Sequence, residues 1–378
     1  MVVIVYKLIY DNKMKHKFYI LDITNHFFIS KQRYNAAGKP RTDSLKIAES
    51  CGGILKQIDA VSIKLSNNRF LKKIESWWNL AYSLLQFFLK YRNVKNSVVF
   101  IQYPFINMRD SLIFFILKKL KKQGNKFITL VHDLEFFRND INEGLDRFIL
   151  EYSDVSIVHS PNMLNIIDKR FKVNDSICLE FFDYVSNLDL PANKNLKNIQ
   201  LIYAGNLMKS EFLKEINKVS FNNHFKLNLY GTYCDYIKEN DFVKYKGRFD
   251  AEQFSDIEGN WGLVWDGTSV DTCEGKLGNY LRYNSPFKMS LYLAAKKPVV
   301  VWRESAMAEY VEKYNIGICV NSLNEIRKQI EKLSDKELAQ IQQNVNMISK
   351  EVRSGNKLKL AICLSLKKII SNKNWTSF

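Results

Sequence analysis

Metal-binding signatures are what this chain of 378 residues most plainly lacks. Its six cysteines, Cys51, Cys178, Cys234, Cys273, Cys319 and Cys363, are widely scattered, and none forms a CxxC pair or joins a Cys/His cluster. A zinc site is therefore not expected. Dispersed cysteines fit reduced thiols in a cytosol better than a disulfide framework. The apolar run Met1–Tyr6 is too short to cross a bilayer. No basic leader with a small-residue cleavage site accompanies it, so a signal peptide is not expected. Met14 reads as an alternative start. Internal repeats and low-complexity tracts are absent. Acid is the scarcer charge: 39 Asp and Glu stand against 56 Lys and Arg, a net charge of +17. Such an excess favours a polyanionic partner, whether nucleic acid, an anionic membrane face or a phosphorylated substrate.

Apolar residues make up 46% of the chain, and the length suits two packed domains. Strand-like and helix-like segments alternate. The first half offers strands at Phe18–Ile23, Ser97–Gln102, Phe127–Val131 and Val155–Val158, and helices at Arg41–Cys51 and Ser111–Lys122. Thr42 or Asp43 would cap the former helix, and Asn25–Pro40 reads as a long polar loop. Asn187–Asn198, with Pro191 and several asparagines, is the expected linker. A second series follows: Leu201–Ala204, Phe225–Tyr230, Trp261–Trp265, Pro298–Trp302 and Ile316–Val320. Ser334–Ile370 reads as helical throughout. Alternation of this kind predicts an α/β fold with doubly wound parallel sheets.

The densest stretch is Trp261–Val301. Gly262–Trp265 is a short strand and Asp266–Ser269 a turn; Asn284-Ser285-Pro286 opens a helix, with Ser285 as N-cap and Pro286 at the first helical position. Lys288 lies in that first turn. A lysine is unfavourable at the positive end of a bare helix. It makes sense where a phosphate is gripped by both the lysine and the free amides. The alternative is an ordinary βαβ unit with a solvated lysine.

Several spaced motifs resemble one family: GLVWDGTSVDTCEG, GNYLRYNSPFKMSLYL, Leu201–Leu207, Tyr245–Asp250, Val131-His132-Asp133 and Ile348–Arg353. Together they resemble the bacterial β-1,6-galactofuranosyltransferases of O-antigen assembly and the wider glucosyltransferase 3-like group. The resemblance runs from about residue 17 to 370. It implies a GT-B fold, two Rossmann-like domains facing across a cleft. The first would span residues 1–190, the nucleotide-sugar-binding second 198–354, and a C-terminal helix, about 355–378, would cross back. It further implies UDP-galactofuranose as donor and a lipid-linked oligosaccharide as acceptor, on the inner face of the cytoplasmic membrane. A β product from an α-configured donor means inversion by a single displacement.

Ligands bind open α/β sheets at the carboxyl ends of the strands. Gly205 and Asn206 follow the first strand of the second domain and either hold the donor diphosphate or make a plain turn. Tyr230, Gly231 and Lys246 end neighbouring strands, where the resemblance puts base and ribose. Tyr230 would stack on uracil or cap the core edge. Lys288 is expected to neutralise the β-phosphate as UDP departs, with Ser285 sharing that load. Asp266, Gly267, Asp271 and Glu274 lie in the loop that differs from the glucose-transferring relatives. They either read the donor sugar or simply form the turn. For the general base the candidates are Asp133, His132 and, on a different segment, Asp43. No DxD motif occurs, so no metal or other cofactor is expected.

Basic and aromatic residues interleave in Arg69–Trp78, Phe87–Arg92 and Phe114–Lys122. These segments read as membrane-surface helices, or as helices whose apolar faces are core. A nucleic-acid partner is not expected, because no recognition motif accompanies the charge. A homo-oligomer, a transferase of another UDP-hexose such as glucose, and an inactive nucleotide-sugar-binding or scaffold protein remain open.

Overall fold

Runs of β-branched and aromatic residues, each followed by an amphipathic helical segment, fold here into two parallel sheets. The computed structural model describes residues 16–24, 38–59, 69–105, 109–139, 143–193 and 195–371. The expected Met14 start, most of the Asn25–Pro40 loop and the end of the 355–378 segment lie outside them.

In chain order the first domain comprises β1 (Phe18–Thr24), α1 (Lys39–Ser50), β2 (Ile54–Asp59), α2 (Arg69–Tyr91), β3 (Val98–Tyr103), α3 (Asp110–Lys122), β4 (Lys126–Val131), α4 (Glu135–Asn139), α5 (Glu143–Tyr152), β5 (Val155–Val158), α6 (Pro161–Arg170) and β6 (Asp175–Cys178). Its sheet has the order β2-β1-β3-β4-β5-β6. Every residue of β3 and β5 is buried, as expected for strands covered on both faces. The second domain comprises β7 (Ile199–Gly205), β8 (Phe225–Gly231), β9 (Val243–Tyr245), β10 (Trp261–Val264), α7 (Gly275–Tyr280), α8 (Phe287–Ala294), β11 (Val299–Trp302), α9 (Ala308–Tyr314), β12 (Gly317–Val320), α10 (Ile326–Lys332) and α11 (Asp335–Ser354). Its sheet has the order β12-β11-β10-β7-β8-β9. The strand order reverses between β1 and β3 in one sheet and between β7 and β10 in the other. Those are the two topological switch points, where crevices open.

The expected strands are present within a residue or two. Three expectations need correction. The helix after the polar loop begins at Lys39 with Gly38 as N-cap, so Thr42 and Asp43 lie inside it and cap nothing. The Ser334–Ile370 helix is two helices. The first, α11, opens with a capping box between Ser334 and Glu337 and ends at Gly355 in the left-handed region, φ 74°. The second, α12 (Asn356–Ser371), turns back and buries Leu358, Ile362, Leu366 and Ile369 among first-domain strand residues such as Phe18, Ile20, Val98 and Ile128. The linker is structured earlier than Asn187: Phe181, Phe182 and Tyr184 are already buried.

The chain thus crosses between domains twice, and the crossings are bonded to each other. Tyr184 N donates to Val352 O (3.0 Å) and Ser186 N to Arg353 O (3.3 Å). Asp183 accepts from the Leu358 (2.8 Å) and Lys357 (3.3 Å) amides at the start of α12.

Candidate active site

At the second-domain switch point the backbone is bare. Gly205 and Gly231 end β7 and β8 in register, and Gly231 N donates to Gly247 O beyond β9 at 2.9 Å. Gly231 has φ +147°, and a Cβ there would stand 2.0 Å from Gly205 O, so no larger residue fits. A Cβ on Gly205 or Gly247 would meet nothing within 4 Å. The three glycines form a shelf open on its outer side, as close approach of a pyrophosphate requires. Asn206 leads from the shelf into 3₁₀ turns, Leu207–Lys209 and Glu211–Lys218, rather than an α-helix.

Tyr230 is buried, packs edge-on against Phe249 and accepts from Glu258 N (2.8 Å). That is the core-edge position, and it keeps the ring from stacking on a base. Tyr233, unnoticed in the sequence, is exposed and lies edge-on to Tyr245, whose hydroxyl donates to Gly231 O (2.9 Å). Lys246 pairs with Glu258 (2.7 Å).

The segment around Lys288 departs from expectation in its cap. Pro286 is extended, φ −63° and ψ 131°, and is itself the N-cap; α8 begins at Phe287. Ser285 is not the cap: no side-chain capping bond is made here, and its backbone N–H donates to His159 Nδ1 at 3.0 Å. Its buried hydroxyl, like Asn284 Oδ1 beside it, has no hydrogen-bond partner among the described residues. Buried polar atoms left this way are rare and call for a missing partner. Lys288 Nζ donates to Asp266 Oδ2 (2.9 Å), Trp265 O (3.0 Å) and Tyr203 Oη (3.1 Å), and lies over the Tyr203 ring. The lysine therefore sits between β7 and β10, at the switch point, with its charge shared with Asp266.

Of the three acids after β10, only Asp266 is here. Asp271 accepts from Ser322 (3.2 Å) and Asn324 (3.3 Å), and Glu274 from Thr268 (3.5 Å), so both tie the loop together. Gly267, φ +109°, lets the loop fold onto itself; a Cβ would stand 2.3 Å from Glu274 O. Directly after this loop the chain forms α7.

The first-domain switch point is crowded with ionisable groups. Arg41, on α1, is buried and donates to Pro104 O. Burial pulls its pKa down to about 10, while Asp22 and Asp133 hold it up. The sequence gives no signal for Arg41, which gains its role only when β1, β3 and β4 are brought together. His132 bonds Gln102 Oε1 through Nε2 (2.7 Å) and stacks on Phe182. Burial, with Arg41 and His159 adding repulsion, drives its pKa well below the ordinary imidazole value. Asp133 accepts from Arg138 (2.8 Å). Shielding from water foremost, and Glu135 after it, push its pKa up to about 6 against the pull of Arg138 and Arg41. Its side chain is still 29% exposed, so a substrate can reach it. Asp43 is different. Its side chain is 2% exposed, and its oxygens accept from Lys39 Nζ (3.2 Å) and Val185 N (2.9 Å). Lys39 in turn reaches Glu252 of the second domain (3.0 Å). Asp43 ties the domains together and is closed to an acceptor.

The two edges meet along α7 and the segment after it. Tyr280 inserts into the first-domain core, and its hydroxyl accepts from Leu134 N (2.9 Å) beside Asp133. Ser160 Oγ donates to Tyr283 O (2.7 Å). His159 bridges the interface, with Nε2 donating to Val131 O (2.8 Å) while Nδ1 accepts from Ser285 N. Burial lowers its pKa to about 4, so it stays neutral at physiological pH.

Two Rossmann-like domains closing on a glycine shelf from one side and titratable groups from the other define a GT-B glycosyltransferase. Family comparison agrees. The first domain matches the N-terminal domain of the glucosyltransferase 3-like proteins over residues 20–174, and the second matches their C-terminal domain over 201–363. The chain belongs to the glucosyltransferase 3-like family. It is 29% identical over 335 residues to the β-1,6-galactofuranosyltransferase WbbI of Escherichia coli K12, covering 86% of this chain and 92% of that one. To glucosyltransferase 3 of Streptococcus gordonii it is 25% identical over 273 residues, covering 68% and 76%. Among solved structures, a glycosyltransferase from Rickettsia africae superposes with a TM-score of 0.55 at 14% identity, covering 94% of this chain and 100% of that one. A UDP-forming α,α-trehalose-phosphate synthase from Burkholderia xenovorans gives 0.55 at 10% identity, again covering 94% and 100%. Among the described residues, no three His, Cys, Asp or Glu side chains group as a metal site requires, and no helix is long and apolar enough to cross a membrane.

Proposed function

We propose that this glycosyltransferase moves galactofuranose from UDP-galactofuranose to a sugar hydroxyl of a lipid-linked oligosaccharide, in O-antigen or other surface-polysaccharide synthesis, with inversion to a β-linkage. The observation that carries the chemistry is the division of labour across the cleft: an open glycine shelf with Lys288 and an orphaned Ser285 hydroxyl on one side, and a carboxylate of raised pKa on the other. The acceptor oxygen attacks the anomeric carbon as its proton passes to Asp133. The bond from that carbon to the β-phosphate oxygen breaks, and the electron pair leaves with UDP. Lys288 and Ser285 meet the growing charge on the phosphate. Asp133 suits the base better than His132, whose lowered pKa makes it a poor proton acceptor, and better than the enclosed Asp43. Lysine and amides take the place of a cation, so the reaction needs no metal.

The name of the E. coli relative supports the choice of sugar. The streptococcal relatives, named glucosyltransferase 3, favour UDP-glucose as the second reading. Incubation with each UDP-sugar in turn, in excess chelator, separates them. UDP should be released fastest from UDP-galactofuranose, and the product should carry a β-furanoside by NMR. Faster release from UDP-glucose overturns the sugar assignment. Activity restored only by manganese or magnesium overturns the metal-free mechanism. UDP binding without any turnover makes the chain a scaffold.

A further inference from the structure

Helix α2 is built inside out. With about 100° per residue, Leu71, Ile74, Trp77, Trp78, Tyr82, Leu85, Phe88 and Leu89 fall within one arc of about 140°. All eight are solvent-exposed, Trp77 and Trp78 at 70%, Leu89 at 61% and Leu85 at 56%. The buried side of the same helix holds Glu75, Ser83 and Gln86 besides the anchors Phe87 and Tyr91. Phe115 of α3, 43% exposed, joins the stripe edge-on to Phe88. A patch this long and apolar marks a contact surface rather than chance exposure. The core reading of these segments explains Phe87 and Tyr91 but leaves the outward face unexplained.

We infer that this face of α2 docks the enzyme on an anionic lipid bilayer, lying in the plane of the interface. Charge selects this occupant. Helices α2 and α3 carry eight Lys and Arg against two acidic residues, Glu75 and Asp110, and Glu75 is buried. Lys119 and Lys122 follow Phe115 on its own face of α3, and Lys73, Arg92 and Lys95 are exposed along or just past α2. A second copy of the same surface would meet like charge, whereas anionic headgroups neutralise it. Paired tryptophans with a tyrosine one turn on suit the headgroup boundary, where their amphipathic rings settle. An apolar face opposite a polar one, without a spanning run, is the pattern of an interfacial helix. Topology adds a purpose. The start of α2 lies towards the carboxyl edge of its sheet, the edge that lines the cleft, so docking brings the cleft rim to the membrane. That purpose rests on the lipid-linked acceptor proposed above; the docking itself does not.

The test is co-sedimentation of the full-length protein with vesicles, one set of phosphatidylglycerol and phosphatidylethanolamine and another of phosphatidylcholine alone. Binding should be several-fold stronger to the anionic set and weaken as salt rises. The double variant Leu85→Glu, Leu89→Glu should bind at least tenfold more weakly, with unchanged melting temperature and UDP affinity, since both side chains are exposed and far from the donor shelf. Equal binding by variant and parent, equal binding to both vesicle sets, or no binding by the parent overturns the inference. So does a concentration-dependent dimer that the same substitutions dissolve, which would assign the face to a second copy. Since no sugar donor enters the assay, a wrong choice of sugar leaves its outcome intact. Conversely, transfer to a soluble acceptor reports on the reaction without the membrane.

Discussion

The two crevices of this molecule sit at equivalent places in similar sheets and are built from opposite materials. Beyond β7 and β8 the second domain offers backbone, with Gly205, Gly231 and Gly247 stripped of side chains and a single lysine at the centre. Beyond β1, β3 and β4 the first domain offers side chains, with Arg41, His132 and Asp133 crowded among aromatics. A diphosphate is gripped well by amides and one cation, whatever sugar it carries. Taking a proton from a hydroxyl needs a group whose pKa the surroundings have moved, and that takes charge and burial together.

The sharpest way to break this contrast is Lys288→Ala. Turnover should fall on the order of 10²–10³-fold, as when one partner of the developing charge is lost, with weaker UDP binding besides. Unchanged turnover in a folded variant would mean that Lys288 serves only Asp266. Next comes Asp133→Asn. Rate should drop by about 10²-fold while UDP affinity, read by calorimetry, holds. Because the carboxylate must be ionised to accept a proton, parent activity should rise with pH through about 6. The variant should lose that limb. If His132→Ala abolishes turnover while Asp133→Asn is active, the base assignment moves by one residue. Gly205→Val probes the shelf directly. A Cβ there meets nothing within 4 Å, so the fold should survive while UDP affinity falls about tenfold, a loss of roughly 1.4 kcal/mol.

The smallest effect concerns stability. Burial raises the pKa of Asp183 to about 7, against the opposing pull of the Leu358 and Lys357 amides. The folded state then holds a proton that the unfolded state releases near 3.8. Asp183 therefore favours folding increasingly as pH falls from about 7 to about 4, and that contribution fades as pH rises through 7. Asp183→Asn should flatten the melting-temperature profile across that window, by about 5 °C. An unchanged profile would show that the carboxyl titrates normally.

The same contrast explains what could be read in advance. Second-domain strands announce themselves as apolar runs, and the turns after them carry glycine, lysine or Asp-Gly within a few residues, so the place of Gly205, Gly231, Asp266 and Lys288 at the switch point was legible. Local pattern misled where a distant group took over. Ser285 looks like a cap, yet the cap position falls to Pro286, and His159, 126 residues away, holds the Ser285 amide. Tyr230 looks like a stacking ring until Glu258 and Phe249 enclose it. Arg41 carries no local signal, since its neighbours Asp22, Pro104 and Asp133 come from three other segments. The local pattern runs straight through Gly355, because a lone glycine reads as tolerable there, and only the family resemblance put a boundary near 355.

The paired crossings have a mechanical consequence. Two strands of chain bonded side by side, Tyr184 to Val352 and Ser186 to Arg353, resist sliding and stretching but yield to torsion. Any swing of the halves about that seam, the spine of the molecule, has to draw Tyr280 out of the first-domain core. Groups near the spine, such as Lys39 and Asp43, travel little in such a swing, and the far rim travels most.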